Sequence, residues 1–192
     1  MGVIVRNEIG TCLAALAKPI KFASSVFHVE AEALREGLMM AVQEGWDDIE
    51  VETDCAMLVI ALEGDGEDLS LVGRIVEDCK SFVSSFHSFQ FRHIYREANG
   101  VANRLALLAS RSENAMSWFE ETPAIIRDIL YEDMRGVSRG LGFMSPLCMF
   151  PISIIIEEVV TRNPTKIGAS CYSVSKNNHI YHYVVYEYHL AV

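Results

Sequence analysis

The sequence predicts a mixed α/β domain in which a sheet is flanked by helices. Three observations lead to this prediction: an apolar hairpin pattern at the start of the chain, apolar residues at helical spacing, and strand-type alternation between the helical segments. The predicted order up to about residue 110 is β-β-α-β-α-α-β-α. A hairpin followed by crossover connections is typical of that order.

The first three elements follow from local patterns. "GVIVRNEIG" (2–10) is apolar and ends in a turn, and "TCLAALAKPI" (11–20) resumes the apolar run, so we expect two antiparallel strands. A helix ending near Gly45 is expected next. Its apolar positions recur at helical spacing and are Ala31, Leu34, Leu38, Ala41 and Val42.

The remaining elements alternate in the same way. We expect strands in "DIEVETD" (48–54) and "HSFQFRHIYR" (87–96), and helices in 55–64, in 69–86 along a stripe from Leu71 to Phe86, and in 99–112. The predicted organisation is a domain over 1–112, a loop and an amphipathic helix (123–134) within 113–139, and an irregular extension over 140–192.

Composition limits the classes of partner. The chain has 192 residues, 51% of them hydrophobic and 22% charged, which is typical of a folded globular protein. Its net charge is −10, from 16 Lys and Arg against 26 Asp and Glu. Proteins that grip phosphates usually present a basic face, so composition gives no support to nucleic-acid binding.

Compartment is indicated by the cysteines and by the absence of targeting segments. Five widely spaced cysteines without a CxxC pair favour free thiols in a reducing compartment, which makes the protein intracellular without separating nucleus from cytoplasm. The start of the chain lacks the layout of a secretory signal. The most apolar run, 141–156, is short and interrupted by Pro146 and Pro151, so no membrane span is expected.

Two carboxylates stand out as a candidate site. Glu30 falls on the inward face of its helix, near the N-terminus, and Asp54 ends the strand that should lie beside that helix. Carboxylates converging beyond a strand end are able to hold Mg²⁺. Two alternatives remain open at this point: Glu30 favours the positive end of its helix dipole, or Asp54 caps the following helix.

Four segments together resemble a known family. "GVIVRNEIG", "VEAEALREGLMMAVQEG", "IEVETDCAMLVIAL" and "FRHIYREANGVANRLALLAS" are similar, in order and spacing, to the ribonuclease H type 1 domain, in particular to its plant reverse-transcriptase-like branch. The resemblance covers residues 2–110, and "VETD" with "R-E-A-N-x-x-A" makes it specific. It implies a mixed sheet flanked by helices.

The resemblance also implies an activity and a cofactor. Members of that family cleave the RNA strand of an RNA–DNA hybrid with four carboxylates and two Mg²⁺ ions, one activating water and one stabilising the leaving oxygen. Glu30 and Asp54 match two of the four carboxylates, and Asn103 stands at the position of another. The strand that carries the first aspartate would precede "GVIV" and is absent here.

An incomplete carboxylate set is expected to weaken catalysis. Asn103 keeps a carbonyl oxygen but brings no charge, and Glu32 and Glu52 point to the wrong faces to replace it. We therefore expect a weak or inactive hybrid ribonuclease that still binds nucleic acid. The alternative is a non-catalytic protein-interaction module or a remnant of a retroelement-type gene.

Nucleic-acid contacts are predicted around the same site. By resemblance, Arg96, Asn99 and His93 are the candidate binding residues, with His93 assisting product release; the alternative for His93 is a half-buried strand residue. A patch of four arginines would supply phosphate contacts. Its members would be Arg6, Arg92, Arg96 and Arg104.

The absent first strand has a consequence for folding. It is the central partner of its neighbours in this family, so its loss would leave the backbone of "GVIVRN" without partners. Two β-rich segments of the extension are candidates to replace it, "ISIIIEEVV" (152–160) and "IYHYVVYEY" (180–188).

Overall fold

The computed structural model describes residues 1–64, 68–95, 99–138, 152–157, 165–176 and 179–189. This part of the chain forms eight strands and five α-helices. The strands are β1 (Gly2–Asn7), β2 (Cys12–Ala17), β3 (Asp48–Thr53), β4 (Ser88–His93), β5 (Met116–Phe119), β6 (Ile152–Glu157), β7 (Thr165–Lys176) and β8 (His179–His189). The helices are α1 (Val26–Glu44), α2 (Ala56–Glu63), α3 (Leu71–Val83), α4 (Gly100–Ala109) and α5 (Arg127–Ser138).

The main sheet has six strands in the order β4-β3-β6-β1-β2-β5. β1 pairs antiparallel with β2 and with β6, whereas β3 runs parallel to both β4 and β6. Strands β7 and β8 form a separate antiparallel pair. The predicted mixed sheet flanked by helices is therefore confirmed.

β6 is a central strand of the main sheet. It takes the place between β1 and β3, with Val5 opposite Ile154 on one side and Glu52 beside Ile155 on the other. Three consecutive isoleucines, 154–156, are at most 1% exposed, because both faces of this strand are covered. Of the two candidate replacement strands, the first enters the main sheet through residues 152–157, and the second (180–188) lies within β8.

Helices cover the two faces of the sheet. α1 packs on one face, where a Cβ added at Gly37 would stand 2.9 Å from the Ile154 side chain. α4 packs on the other, so close to β1 that a side chain at Gly2 would meet the Ala102 carbonyl oxygen. The core therefore consists of two buried apolar clusters, one between the sheet and α1, around Leu34, and the other between the sheet and α4.

The ends of α1 follow from local sequence. Ser25 caps the helix, since its Oγ accepts a hydrogen bond from the His28 backbone N–H at 3.0 Å. Gly45 ends it in the left-handed region with a φ of 71°, which a residue without a Cβ adopts without strain. The predicted end of this helix is confirmed.

Several sequence predictions need correction. Met116–Phe119 was expected to be loop but forms β5, which pairs with β2; four edge residues are too few to show a strand period. The predicted helix 123–134 is a short 3-10 turn, Ala124–Ile126, followed by α5. Val42 and Leu71 were placed on apolar stripes but are 41% and 62% exposed.

No helix in the described part of the chain has the length and apolar character that crossing a bilayer requires.

Candidate cation and nucleic-acid site

Several of the predicted site residues lie at one edge of the main sheet. β3, β4 and β6 end there and β1 begins there, and we call it the site edge. Asp54 directly follows β3 and is half-buried. It does not cap α2: the cap is Cys55, and Thr53 Oγ1 accepts the Cys55 N–H at 3.0 Å. The capping alternative for Asp54 is therefore not what the structure shows.

Glu30 approaches the same edge from α1. Glu30 is only 2% exposed. It lies beyond the first turn of α1, and that first turn holds no acidic residue. The favourable effect of a helix dipole on an anion fades within that first turn. A dipole contact is thus a poor explanation for burying this carboxylate, so the inward position predicted for Glu30 stands.

Glu30 and Asp54 both lie near the Cys55 thiol. The pKa of Cys55 is raised to about 12, chiefly by burial and also by the negative charges of Glu30 and, to a smaller extent, Asp54. Both carboxylates therefore lie within electrostatic range of the same thiol at the site edge. They supply hard oxygen donors of the kind that Mg²⁺ prefers.

Asn99 joins this edge to β6. The residue is fully buried, and its Nδ2 donates to the Ile156 carbonyl oxygen at 2.8 Å and lies 3.4 Å from Asp54 Oδ1. The structure gives Asn99 a positioning role, because it holds Asp54 against the central strand. Its contact with nucleic acid stays a prediction.

Asn103 lies one turn further along α4 and is half-buried. Its backbone N–H donates to the Asn99 carbonyl oxygen, so the two asparagines share the start of the helix. Among the described residues, no group of three or more His, Cys, Asp or Glu side chains is arranged to hold a metal. The carboxylate oxygens of Glu30 and Asp54 are donors that suit one hard cation, but these two residues are few for a metal site.

His93 ends β4 and is exposed, not half-buried. Its Nε2 lies 3.1 Å from the Asp54 backbone carbonyl oxygen, and since that oxygen only accepts, Nε2 carries the hydrogen. Its ring meets Tyr95 edge-on, with 6.4 Å between centroids. Arg96, the next predicted binding residue, lies outside the described residues.

The predicted arginine patch does not form among its three described members. Arg6 is 3% exposed and contacts Asp133 at 3.2 Å. Arg92 contacts the buried Glu50 at 2.6 Å. Arg104 contacts both carboxylate oxygens of Asp128, at 2.6 and 2.7 Å. Each guanidinium is committed to a carboxylate on the chain, so the predicted gathering of free positive charge was wrong for these residues.

The strand register brings a further residue to the site edge. Ile155 of β6 is level with Glu52 of β3, so two residues further on Glu157 is level with Asp54. Sequence reasoning named this segment as a candidate strand but missed Glu157. A hydrophobic run followed by acidic residues was the available signal, but the register that aligns it is set by pairing with distant strands.

A mixed sheet with α1 and α4 on opposite faces, and with Asp54 at the edge where the parallel strands end, defines a ribonuclease H-like domain. The model of the reverse transcriptase-like family matches residues 1–109, more than half of the chain. The chain belongs to this family. No curated protein and no solved structure matches it.

Proposed function

We propose that this protein is a nucleic-acid-binding domain that holds an RNA–DNA hybrid, or a related nucleic acid, through a divalent cation at Glu30 and Asp54, and that its hybrid cleavage is weak or absent. The observation that carries the proposal is a buried carboxylate, Glu30, in electrostatic range of the same thiol as Asp54, whose carboxylate is held by the buried Asn99 amide. Asn103, at the position of a family aspartate, is the reason for assigning weak chemistry to the site.

Charge supports one ion more strongly than two. Two closely spaced dications repel each other, and the two-ion mechanism of the family relies on several negative ligands to hold both. Glu30 and Asp54 together supply two charges, which match one Mg²⁺. When bound, the ion would supply a positive charge for a phosphate oxygen; Glu30 and Asp54 would be its protein ligands, and Asn99 would orient Asp54.

Glu157 is the candidate for an additional ligand. It is the residue of β6 level with Asp54, on the strand that occupies the centre of the sheet. A carboxylate-bearing residue at this register position supports a role for β6 in the site as well as in the fold. Glu157→Gln is the corresponding test variant, and weaker cation binding is expected.

The arginines support a binding mode that depends on the cation. Arg6, Arg92 and Arg104 are engaged by carboxylates of the chain, and the net charge is −10. Phosphates therefore meet little free positive charge on this part of the protein. A cation held at the site edge would supply the positive charge that these three arginines do not offer, so we expect binding to require Mg²⁺.

The test is hybrid binding followed by fluorescence anisotropy, with Mg²⁺ or with EDTA. We expect binding by the wild type with Mg²⁺, loss of binding in EDTA, and an affinity at least about tenfold lower for Asp54→Asn. Asp47→Asn is the matched control, because it removes the same charge from an exposed residue at the opposite end of β3. Binding that is indifferent to EDTA and to Asp54→Asn would overturn the proposal.

A further inference from the structure

Two aromatic rings flank the candidate site on its exposed side. Tyr95 follows β4 by two residues and is 79% exposed. Its neighbour His93 contacts it edge-on, with the ring planes at 76°. Since His93 Nε2 is hydrogen-bonded to the Asp54 carbonyl oxygen, this pair of rings is tied to the residue proposed to bind the cation.

The surroundings of Tyr95 favour a ring contact over a charge contact. The described arginines of the predicted patch are neutralised by Glu50, Asp128 and Asp133. On the loop that leaves the site edge after β2, Phe22 is 89% exposed. The same loop also carries the exposed Lys21, so Tyr95 is the exposed ring whose contacts lead directly to Asp54, through His93. A single exposed tyrosine is ordinary on a protein surface, and Tyr95 is distinguished by its location beside Asp54.

Aromatic rings recognise one part of a nucleic acid in particular. Protein rings stack on bases in single strands, and such contacts tolerate any base because every base has a π face. Bases inside a duplex already stack on their neighbours and expose only their edges and the sugar. Tyr95 therefore fits an unpaired base, adjacent to a phosphate that reaches the cation.

We propose that Tyr95 is a stacking residue and that the preferred ligand is a hybrid with a single-stranded overhang. This inference rests on the proposed function, because it needs nucleic acid at the Asp54 site. His93 is the positioning residue for Tyr95: the Asp54 carbonyl holds its ring, and its ring supports that of Tyr95 from the side. Tyr95 then raises the affinity for the overhang ligand alone, whereas the cation contributes to the binding of both ligands.

The experiment compares affinities for a blunt RNA–DNA hybrid and for the same hybrid with a short overhang, in Mg²⁺. The wild type should prefer the overhang by about 5- to 150-fold, the range expected for one stacked base. Tyr95→Ala should bind both ligands as the wild type binds the blunt one, and Tyr95→Phe should keep the preference. Tyr131→Ala is the control: Tyr131 is 61% exposed but lines a cleft beside Gly10 and Thr11, at the opposite end of β1.

The outcomes separate this inference from the proposed function. If the wild type binds neither ligand, the proposed function fails and the stacking role fails with it. If the wild type binds both equally, or if Tyr95→Ala keeps the preference, the stacking role is overturned while the proposed function stands. Photocrosslinking of an iodouracil in the overhang adds a direct readout. The crosslink should fall on the tryptic peptide 93–96, at Tyr95, and a crosslink elsewhere would overturn the assignment.

Discussion

Asn99 Nδ2 donates a hydrogen bond to the Ile156 carbonyl oxygen at 2.8 Å, across 57 residues of sequence. The same Nδ2 lies 3.4 Å from Asp54 Oδ1, so one buried amide joins the start of α4, the end of β3 and the central strand. Assembly of the site edge is therefore coupled to the pairing of β6.

Asn99→Ala is expected to lower the free energy of unfolding by about 1–3 kcal/mol, because it removes the donor that satisfies a buried carbonyl. Urea unfolding measures this loss. Asn103→Ala is the control on the same helix, at a half-buried position, and should change stability far less. Equal losses for the two variants would contradict the bridging role of Asn99.

β6 is expected to behave as a core strand. Ile155 is 1% exposed, so Ile155→Ala should lower the free energy of unfolding by about 2–5 kcal/mol, whereas Ile125→Ala, at a position 38% exposed, should cost much less. In hydrogen exchange, the amides of β6 should be protected as strongly as those of β1, because both strands pair on two sides. Rapid exchange throughout β6 would show that this strand does not fill the centre of the sheet in solution.

Local patterns were sufficient for much of the fold. The β1–β2 hairpin, α1 with its end at Gly45, α2, β3, β4 and α4 each follow from periodicity and end signals within their own segment. The family motif likewise shows directly that Asn103 stands at the position of an aspartate. Both kinds of inference use residues that are close together in the sequence.

The features that sequence did not yield depend on distant partners. Arg6 is a plausible phosphate contact until its partner Asp133, 127 residues away, is known. Glu157 is likewise an acidic residue in an extension until the β6 register aligns it with Asp54. β5 could not be predicted from the sequence, because its four residues show no clear alternation of apolar and polar side chains. They are stabilised by pairing with β2 at the edge of the sheet.

His87 provides a pH test of the opposite end of the sheet. Its Nδ1 lies 3.0 Å from Asp48 Oδ1, and this hydrogen bond, together with the charge of Asp48, raises the pKa of His87 above its ordinary 6.5. A raised histidine pKa adds stability below the unfolded value, and that contribution is lost as pH rises through the folded pKa. NMR titration should give a His87 pKa above 6.5 in the wild type and a lower one in Asp48→Asn. A wild-type value at or below 6.5 would contradict the pairing.

Asn103→Asp should restore a charge to the site. We expect cation affinity to rise by about 10- to 100-fold and hybrid cleavage to increase above that of the wild type, because the added carboxylate strengthens ion binding. Gel analysis of a labelled hybrid with Mg²⁺ or Mn²⁺ measures cleavage, and Asn103→Ala is the control for the loss of the amide. Cleavage that survives Asp54→Asn would have to arise from a different site.

The central claim is that Glu30 and Asp54 form one cation site, and calorimetric titration with Mg²⁺ or Mn²⁺ tests it most directly. The wild type should bind one ion at the site edge, and Glu30→Gln and Asp54→Asn should each lower the affinity at least about tenfold. Asp47→Asn should leave that affinity unchanged. Binding that is absent from the wild type, or that persists unchanged in both site variants, would contradict the account.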